Sequence, residues 1–175
     1  MDWTQIKMLI LDCDGVLTDG RIIIGGGGDE QKQFDVRDGT GIKYWQRAGN
    51  RTAVITGRTS EVVAKRADEL GIAIVRQGAT VKLNAYDQLL ADEGLTDAET
   101  AYVGDDLPDL PVMRRVAFPA SVADAAPAVR AAALYVAAQP GGRGAVREII
   151  ETLLRLQGRW RSITARYDAP TDQGG

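Results

Sequence analysis

The chain has 175 residues, 45% of them hydrophobic, and a formal charge of −3 at pH 7. That length suits one domain with a sizeable core, and the acidic balance weighs against a polyanion-binding surface. With no histidine and one cysteine, the sequence excludes a Ser-His-Asp triad, a histidine general base, a phosphohistidine intermediate, a histidine zinc site and an internal disulfide. Carboxylates and lysine must carry any acid-base work. No run approaches the ~18 apolar residues of a membrane span, and no apolar leader core precedes the first strand. The expectation is a cytoplasmic protein without nucleic-acid or membrane partners.

In chain order, Ile6 to Leu11 reads as a buried strand, stopped by Asp12-Cys13-Asp14-Gly15. Strand residues two apart share a face, so Asp12 and Asp14 project together beyond the strand end, while Cys13 points the other way as packing. An acidic turn closing a hairpin is the plain alternative. Arg21 to Ile24 and Gln31 to Phe34 flank Gly25-Gly26-Gly27-Gly28-Asp29, a hairpin tip, and the stretch from about 20 to 35 reads as a flap. A helix is expected from Ile42 to Ala48, a strand from Thr52 to Ile55, a helix from Glu61 to Leu70 closed by Gly71, and a strand from Ile72 to Val75. A helix from Val81 to Asp92 and a strand from Thr100 to Val103 follow, the strand ending at Gly104-Asp105-Asp106. A turn at Pro111 to Arg114, a strand at Val116 to Phe118, a helix at Ala123 to Ala132, a strand at Leu134 to Val136 and a helix at Ala145 to Leu156 complete the pattern. The alternation implies an α/β fold: a doubly wound, Rossmann-like parallel sheet with helices on both faces, a β-hairpin flap and no separate cap domain. Residues 1–158 form the domain, and 159–175 read as a flexible tail.

The ligand crevice of such a sheet lies at the carboxyl ends of its strands. Asp12, Asp14, Thr56, Asp105 and Asp106 all fall there, and Lys82 opens a helix beside them. Carboxylates hold a hard dication, most plausibly Mg2+, while a hydroxyl and an ammonium suit phosphoryl oxygens. Singly, Thr56 could be a helix cap, Lys82 a solvated charge and Asp105-Asp106 a turn. Their arrival together at strand ends makes a phosphoryl-transfer site.

Asp12-Cys13-Asp14-Gly15-Val16-Leu17-Thr18-Asp19-Gly20, Ile55-Thr56-Gly57-Arg58, Lys82 and Tyr102-Val103-Gly104-Asp105-Asp106-Leu107-Pro108-Asp109 resemble the four ordered motifs of the haloacid dehalogenase superfamily of phosphatases. Phe34-Asp35-Val36-Arg37-Asp38-Gly39, Gln77-Gly78 and Gly141-Gly142-Arg143-Gly144 resemble its capless branch, typified by 3-deoxy-D-manno-octulosonate 8-phosphate phosphatase. The likeness covers roughly residues 5 to 158. Ala126 departs from it, standing where many relatives carry histidine.

The resemblance implies that Asp12 is the nucleophile, forming an aspartyl-phosphate, and that Asp14 is the general acid and base. It implies Mg2+ on Asp12, the Asp14 backbone carbonyl and Asp105, with Asp106 supporting the metal shell through water or Lys82. Thr56 and Lys82 would hold the phosphoryl group. Arg37, Arg58 and Arg143 are candidates for the carboxylate and hydroxyls of a phosphorylated sugar acid, each with a structural ion pair as its alternative. The branch further implies a homotetramer whose subunits cover each other's open sites, with the hairpin as contact element; a hairpin tucked onto its own domain is the alternative. An eight-carbon 2-keto-3-deoxy sugar acid phosphate, on the route to lipopolysaccharide, is the implied substrate. A nine-carbon sialic-type acid 9-phosphate, an accessory subunit of an aryl-phosphate-processing complex and a non-catalytic assembly module compete with it.

Overall fold

A computed structural model describes residues 2–168. The strands are β1 (Met8–Leu11), β2 (Ile23–Ile24), β3 (Glu30–Gln31), β4 (Arg51–Ile55), β5 (Ile74–Arg76), β6 (Thr100–Gly104), β7 (Phe118–Ser121) and β8 (Tyr135–Val136). Six of them form one parallel sheet in the order β5-β4-β1-β6-β7-β8, while β2 and β3 make a separate antiparallel hairpin. The helices are α1 (Val36–Arg47), α2 (Glu61–Leu70), α3 (Lys82–Glu93), α4 (Leu110–Met113), α5 (Pro127–Ala132), α6 (Ala145–Leu156) and α7 (Trp160–Asp168). This is the expected α/β architecture, a parallel sheet with helices around it.

All four residues of β1 are fully buried, as a strand covered on both faces requires. From β1 the chain winds outward through β4 to β5, then returns to place β6 on the other side of β1. That reversal opens a crevice at the carboxyl end of β1. The register aligns Leu11 with Val54 on β4 and Val103 on β6, and the Asp12 amide donates to the Val103 carbonyl at 3.0 Å. Asp12 therefore leaves the sheet level with the last residues of both neighbours.

Some bounds shift by two to four residues, with β5 at Ile74–Arg76 where Ile72–Val75 is expected, β7 at Phe118–Ser121 where Val116–Phe118 is expected, and α5 starting at Pro127 where Ala123 is expected; two elements differ more. Helix α1 starts at Val36, six residues earlier than its periodicity indicates, with Asp35 capping the Arg37 amide. Gly39 and Gly41 read as loop residues because glycine weakens an isolated helix; here they allow a close approach. A Cβ at Gly41 would lie 3.0 Å from the Arg147 backbone and 2.9 Å from its side chain, on α6, the helix against which α1 packs most extensively. Asp38 strengthens that seam by accepting from the Gly144 and Arg147 amides at 3.1 and 2.8 Å.

The second correction concerns the segment expected as a flexible tail. Residues Trp160–Asp168 are helical, with Ile163 buried. Trp160 meets the Tyr44 ring edge-on at 6.0 Å and stacks under the Arg155 guanidinium at 4.8 Å. Aromatic and cation–π contacts with α1 and α6 thus hold a helix too short to persist alone. Residues 169–175 of the expected tail lie outside the described residues. Among the described residues, no helix is long and apolar enough to cross a membrane.

The α1–α6 seam makes a direct prediction. Gly41→Val should lower unfolding free energy by about 1–3 kcal/mol in urea titration, because the added atoms meet backbone. An unchanged midpoint would show that the seam relaxes.

Candidate functional site

Four segments of the chain converge on a crevice of about 410 Å³ at the carboxyl edge of the sheet. The turn after β1 brings Asp12 and Asp14, and the loop after β4 brings Thr56 and Arg58. Lys82 comes from the first turn of α3, and Asp105 and Asp106 from the end of β6. Gly15 permits this convergence, since its φ is +91° and a Cβ there would sit 2.1 Å from Asp105 Oδ2. Thr56 is free of capping duty because Ser60 caps α2, accepting from the Val63 amide.

Lys82 is buried between two acids. Its Nζ lies 2.9 Å from Asp12 Oδ1 and 2.6 Å from Asp109 Oδ1. Asp109 is fully buried and also accepts from the Tyr102 hydroxyl at 2.6 Å and from the Asp105 and Asp106 amides at 3.1 and 3.2 Å. Sequence reasoning left Asp109 without a role, although it closes the fourth motif; its position four residues after Asp105 was the available signal. The resemblance implies that Asp106 supports the metal shell through water or Lys82. The Asp106 side chain lines the crevice and caps the turn that follows, accepting from the Leu107 amide at 2.8 Å, and the acid that holds Lys82 beside Asp12 is Asp109.

Burial pushes Asp12 up to about 6; Lys82 pulls it down and Asp109 pushes it up. Asp105 rises further, to about 8, from burial and then from the charges of Asp12 and Asp109. Burial pulls the Lys82 ammonium down, but Asp12 and Asp109 outweigh it and hold its pKa above the ordinary value. Three carboxylates crowding one lysine are short of positive charge. Asp12, Asp105 and Asp109 each present an oxygen within 4.8 Å of the others, and Asp105 Oδ1 is buried without a hydrogen-bond partner. A hard dication fits this oxygen set. Since both oxygens of Asp109 are committed to donors, Asp12 and Asp105 are the side chains left to ligate it.

The arginines separate. Arg58 lines the crevice, with Nε 3.9 Å from Asp14 Oδ2 and Nη2 3.1 Å from Glu30 Oε1. Arg37 and Arg143 line a second cavity of about 410 Å³, together with Asp19, Gln33 and Phe34. There Arg37 pairs with Asp35 at 2.7 Å and donates to the Arg143 carbonyl at 2.8 Å. The structure does not bring these two to Asp12. It does bring Lys32 of the hairpin onto Asp14 Oδ1, a contact sequence reasoning missed. The i, i+2 spacing of Glu30 and Lys32 on a strand was the signal, since both then share a face. Cys13 is buried, and burial pushes its thiol up to about 12, as suits packing.

No family model matches the chain. It is 47% identical over 155 residues to 3-deoxy-D-manno-octulosonate 8-phosphate phosphatase KdsC of Escherichia coli K12, covering 89% of this chain and 82% of the relative. The Yersinia pestis KdsC is 44% identical over 160 residues, covering 91% and 86%. The crystal structure of 3-deoxy-D-manno-octulosonate 8-phosphate phosphatase from Moraxella catarrhalis, in complex with magnesium ion, phosphate ion and KDO, superposes with a TM-score of 0.92 at 40% identity, covering 95% of each chain.

The raised carboxyls set the sign of a pH dependence. Folded Asp105 keeps its proton up to about pH 8, whereas the unfolded chain loses it near 4, so without a cation this group subtracts stability as pH rises between those values. A dication must displace that proton. Its affinity should therefore climb with pH, by up to about tenfold per unit between about pH 6 and 8 and more steeply below 6, where Asp12 holds a proton too. Melting curves should show a larger Mg2+-induced rise at pH 8 than at pH 5.5; equal shifts would exclude these carboxylates as ligands.

Proposed function

As the chain belongs to the 3-deoxy-D-manno-octulosonate 8-phosphate phosphatase family of the haloacid dehalogenase superfamily, we propose that it hydrolyses that sugar acid's phosphomonoester through an aspartyl-phosphate on Asp12. It is a magnesium-dependent phosphoric monoester hydrolase of lipopolysaccharide precursor synthesis. The observation that carries the reading is the buried Asp12–Lys82–Asp109 array beside the unpartnered Asp105 oxygen.

Asp12 and Asp105, with the backbone carbonyl of Asp14, are the residues that would hold Mg2+, which when bound neutralises charge on the phosphoryl oxygens. Lys82 keeps Asp12 ionised and faces the phosphoryl group with Thr56. A carboxylate oxygen of Asp12 bonds phosphorus as the bond to the sugar oxygen breaks, and Asp14 gives that oxygen its proton. Water then attacks the aspartyl-phosphate, returns a proton to Asp14 and releases inorganic phosphate and free Asp12.

Arg58 is the arginine in reach of a substrate carboxylate, which a guanidinium binds through two parallel hydrogen bonds. Arg37 and Arg143, at the second cavity, are proposed to serve the substrate across a subunit boundary of a homotetramer. Support for such assembly comes from Ile22, Ile23 and Ile24, all exposed on the hairpin at 52%, 38% and 70%, since consecutive exposed isoleucines invite a partner surface. A cytoplasmic location accords with the single buried thiol and the class of substrate.

Phosphate release from phosphorylated sugar acids, assayed with and without Mg2+, tests the whole reading. The eight-carbon 2-keto-3-deoxy acid 8-phosphate should be preferred over a nine-carbon 9-phosphate, and chelation should stop turnover; indifference to chain length would redirect the substrate assignment. Asp12→Asn should abolish turnover with the melting curve of a folded protein retained. Substantial residual rate would remove Asp12 as nucleophile.

A further inference from the structure

The hairpin is joined to the crevice by charge. Lys32, one residue past β3, has a side chain 0% exposed and sets its ammonium on Asp14 Oδ1. Glu30 Oε1 lies 3.4 Å from that ammonium and also accepts from Arg58 Nη2 at 3.1 Å. Arg58 Nε returns to Asp14 Oδ2 at 3.9 Å. Four alternating charges thus close a ring, two from the hairpin and two from the sheet edge. Apolar hold on the domain comes at the hairpin's base, where Phe34 packs against the core and under Arg66, while β2 and β3 share two residue pairs and Ile22 to Ile24 are exposed. So short a two-stranded ribbon is not stable by itself.

Asp14 has matching needs. It sits in the turn after β1, and among the described residues its carboxylate contacts are Lys32 and Arg58. Oδ1 is held in direct contact by Lys32, whereas Oδ2 faces Arg58 only at 3.9 Å and is the less tightly held of the two oxygens. A solvated flap lysine would keep its rotamer freedom; a fully covered one has surrendered it, and the contact it makes is correspondingly fixed.

We infer that Lys32 is a positioning residue for the phosphatase reaction: it clamps one oxygen of Asp14 so that the other faces the leaving group, making hairpin closure and the aiming of the general acid a single event. Glu30 braces the clamp by bridging Lys32 to Arg58. The inference rests on the acid role assigned to Asp14 above.

Leaving-group chemistry separates this role from a merely structural one. The sugar alkoxide needs a proton as it departs, whereas the phenolate of p-nitrophenyl phosphate does not. Lys32→Met keeps the stem and removes the charge. In the full chain with Mg2+, its kcat on the sugar-acid phosphate should fall at least about tenfold more than on p-nitrophenyl phosphate, and Lys32→Arg should recover most of the difference. Amide exchange across residues 21–34 should quicken in the same variant. Equal losses on both substrates, or no loss, would overturn the inference. Asp14→Asn is run alongside: if it shows the split and Lys32→Met does not, only the Lys32 role falls. If Asp14→Asn shows none, the acid assignment falls and takes Lys32 with it. Should Lys32→Met fail to fold, Glu30→Gln stands in, with the same split expected at smaller size and its absence equally decisive.

Discussion

The buried ammonium of Lys82 is what makes this sheet edge possible. Asp12, Asp105 and Asp109 each present an oxygen within 4.8 Å of the others, in surroundings where an unpaired charge is expensive. A single lysine, 2.9 Å from one acid and 2.6 Å from another, offsets part of that repulsion. The remainder appears as carboxyls that hold their protons too long, and as an appetite for a second, divalent positive charge. Stability and the proposed chemistry draw on the same imbalance: the acids that repel each other here are the ones proposed to meet a cation and a phosphoryl group.

Asp109 turns that electrostatic arrangement into geometry. By accepting from Lys82, Tyr102 and two successive backbone amides, it ties α3, β6 and the loop after β6 to one point. The pair expected to act together, Asp105 and Asp106, is thereby divided. Asp105 turns inward with a free oxygen, and Asp106 turns outward to cap a helical turn. Access is organised differently from chemistry. The crevice's carboxylates stand at the end of a fully buried strand, while the hairpin beside them is tied to Asp14 and Arg58 by ion pairs and exposes Ile22 to Ile24.

Much of the core was legible because it rests on local pattern. The apolar run Met8–Leu11 and the alternation of strands and helices announce a parallel sheet, and such a sheet has one place for a ligand. Asp12, Thr56, Lys82 and Asp105 follow from that rule alone, since each adjoins a strand end or helix start. Where propensity and packing disagreed, packing prevailed. Of the glycines that obscure the start of α1, Gly41 makes room for Arg147 and Gly39 for Arg66 and Leu70, and α7 forms because aromatic and arginine side chains from α1 and α6 hold it.

From the order of its residues the chain determines its layers, the crevice and the acids that reach it, because hydrophobic period and strand-end position are properties of neighbours in sequence. Which oxygen each acid leaves free is decided only by the tertiary structure. Lys32 meets Asp14 from 18 positions away, Lys82 meets Asp109 across 27, and Asp38 caps a helix that begins more than a hundred residues later. Such pairings cost nothing to propose and cannot be ranked without distances, for the strength of a charge pair depends on separation and burial, neither of which a sequence contains.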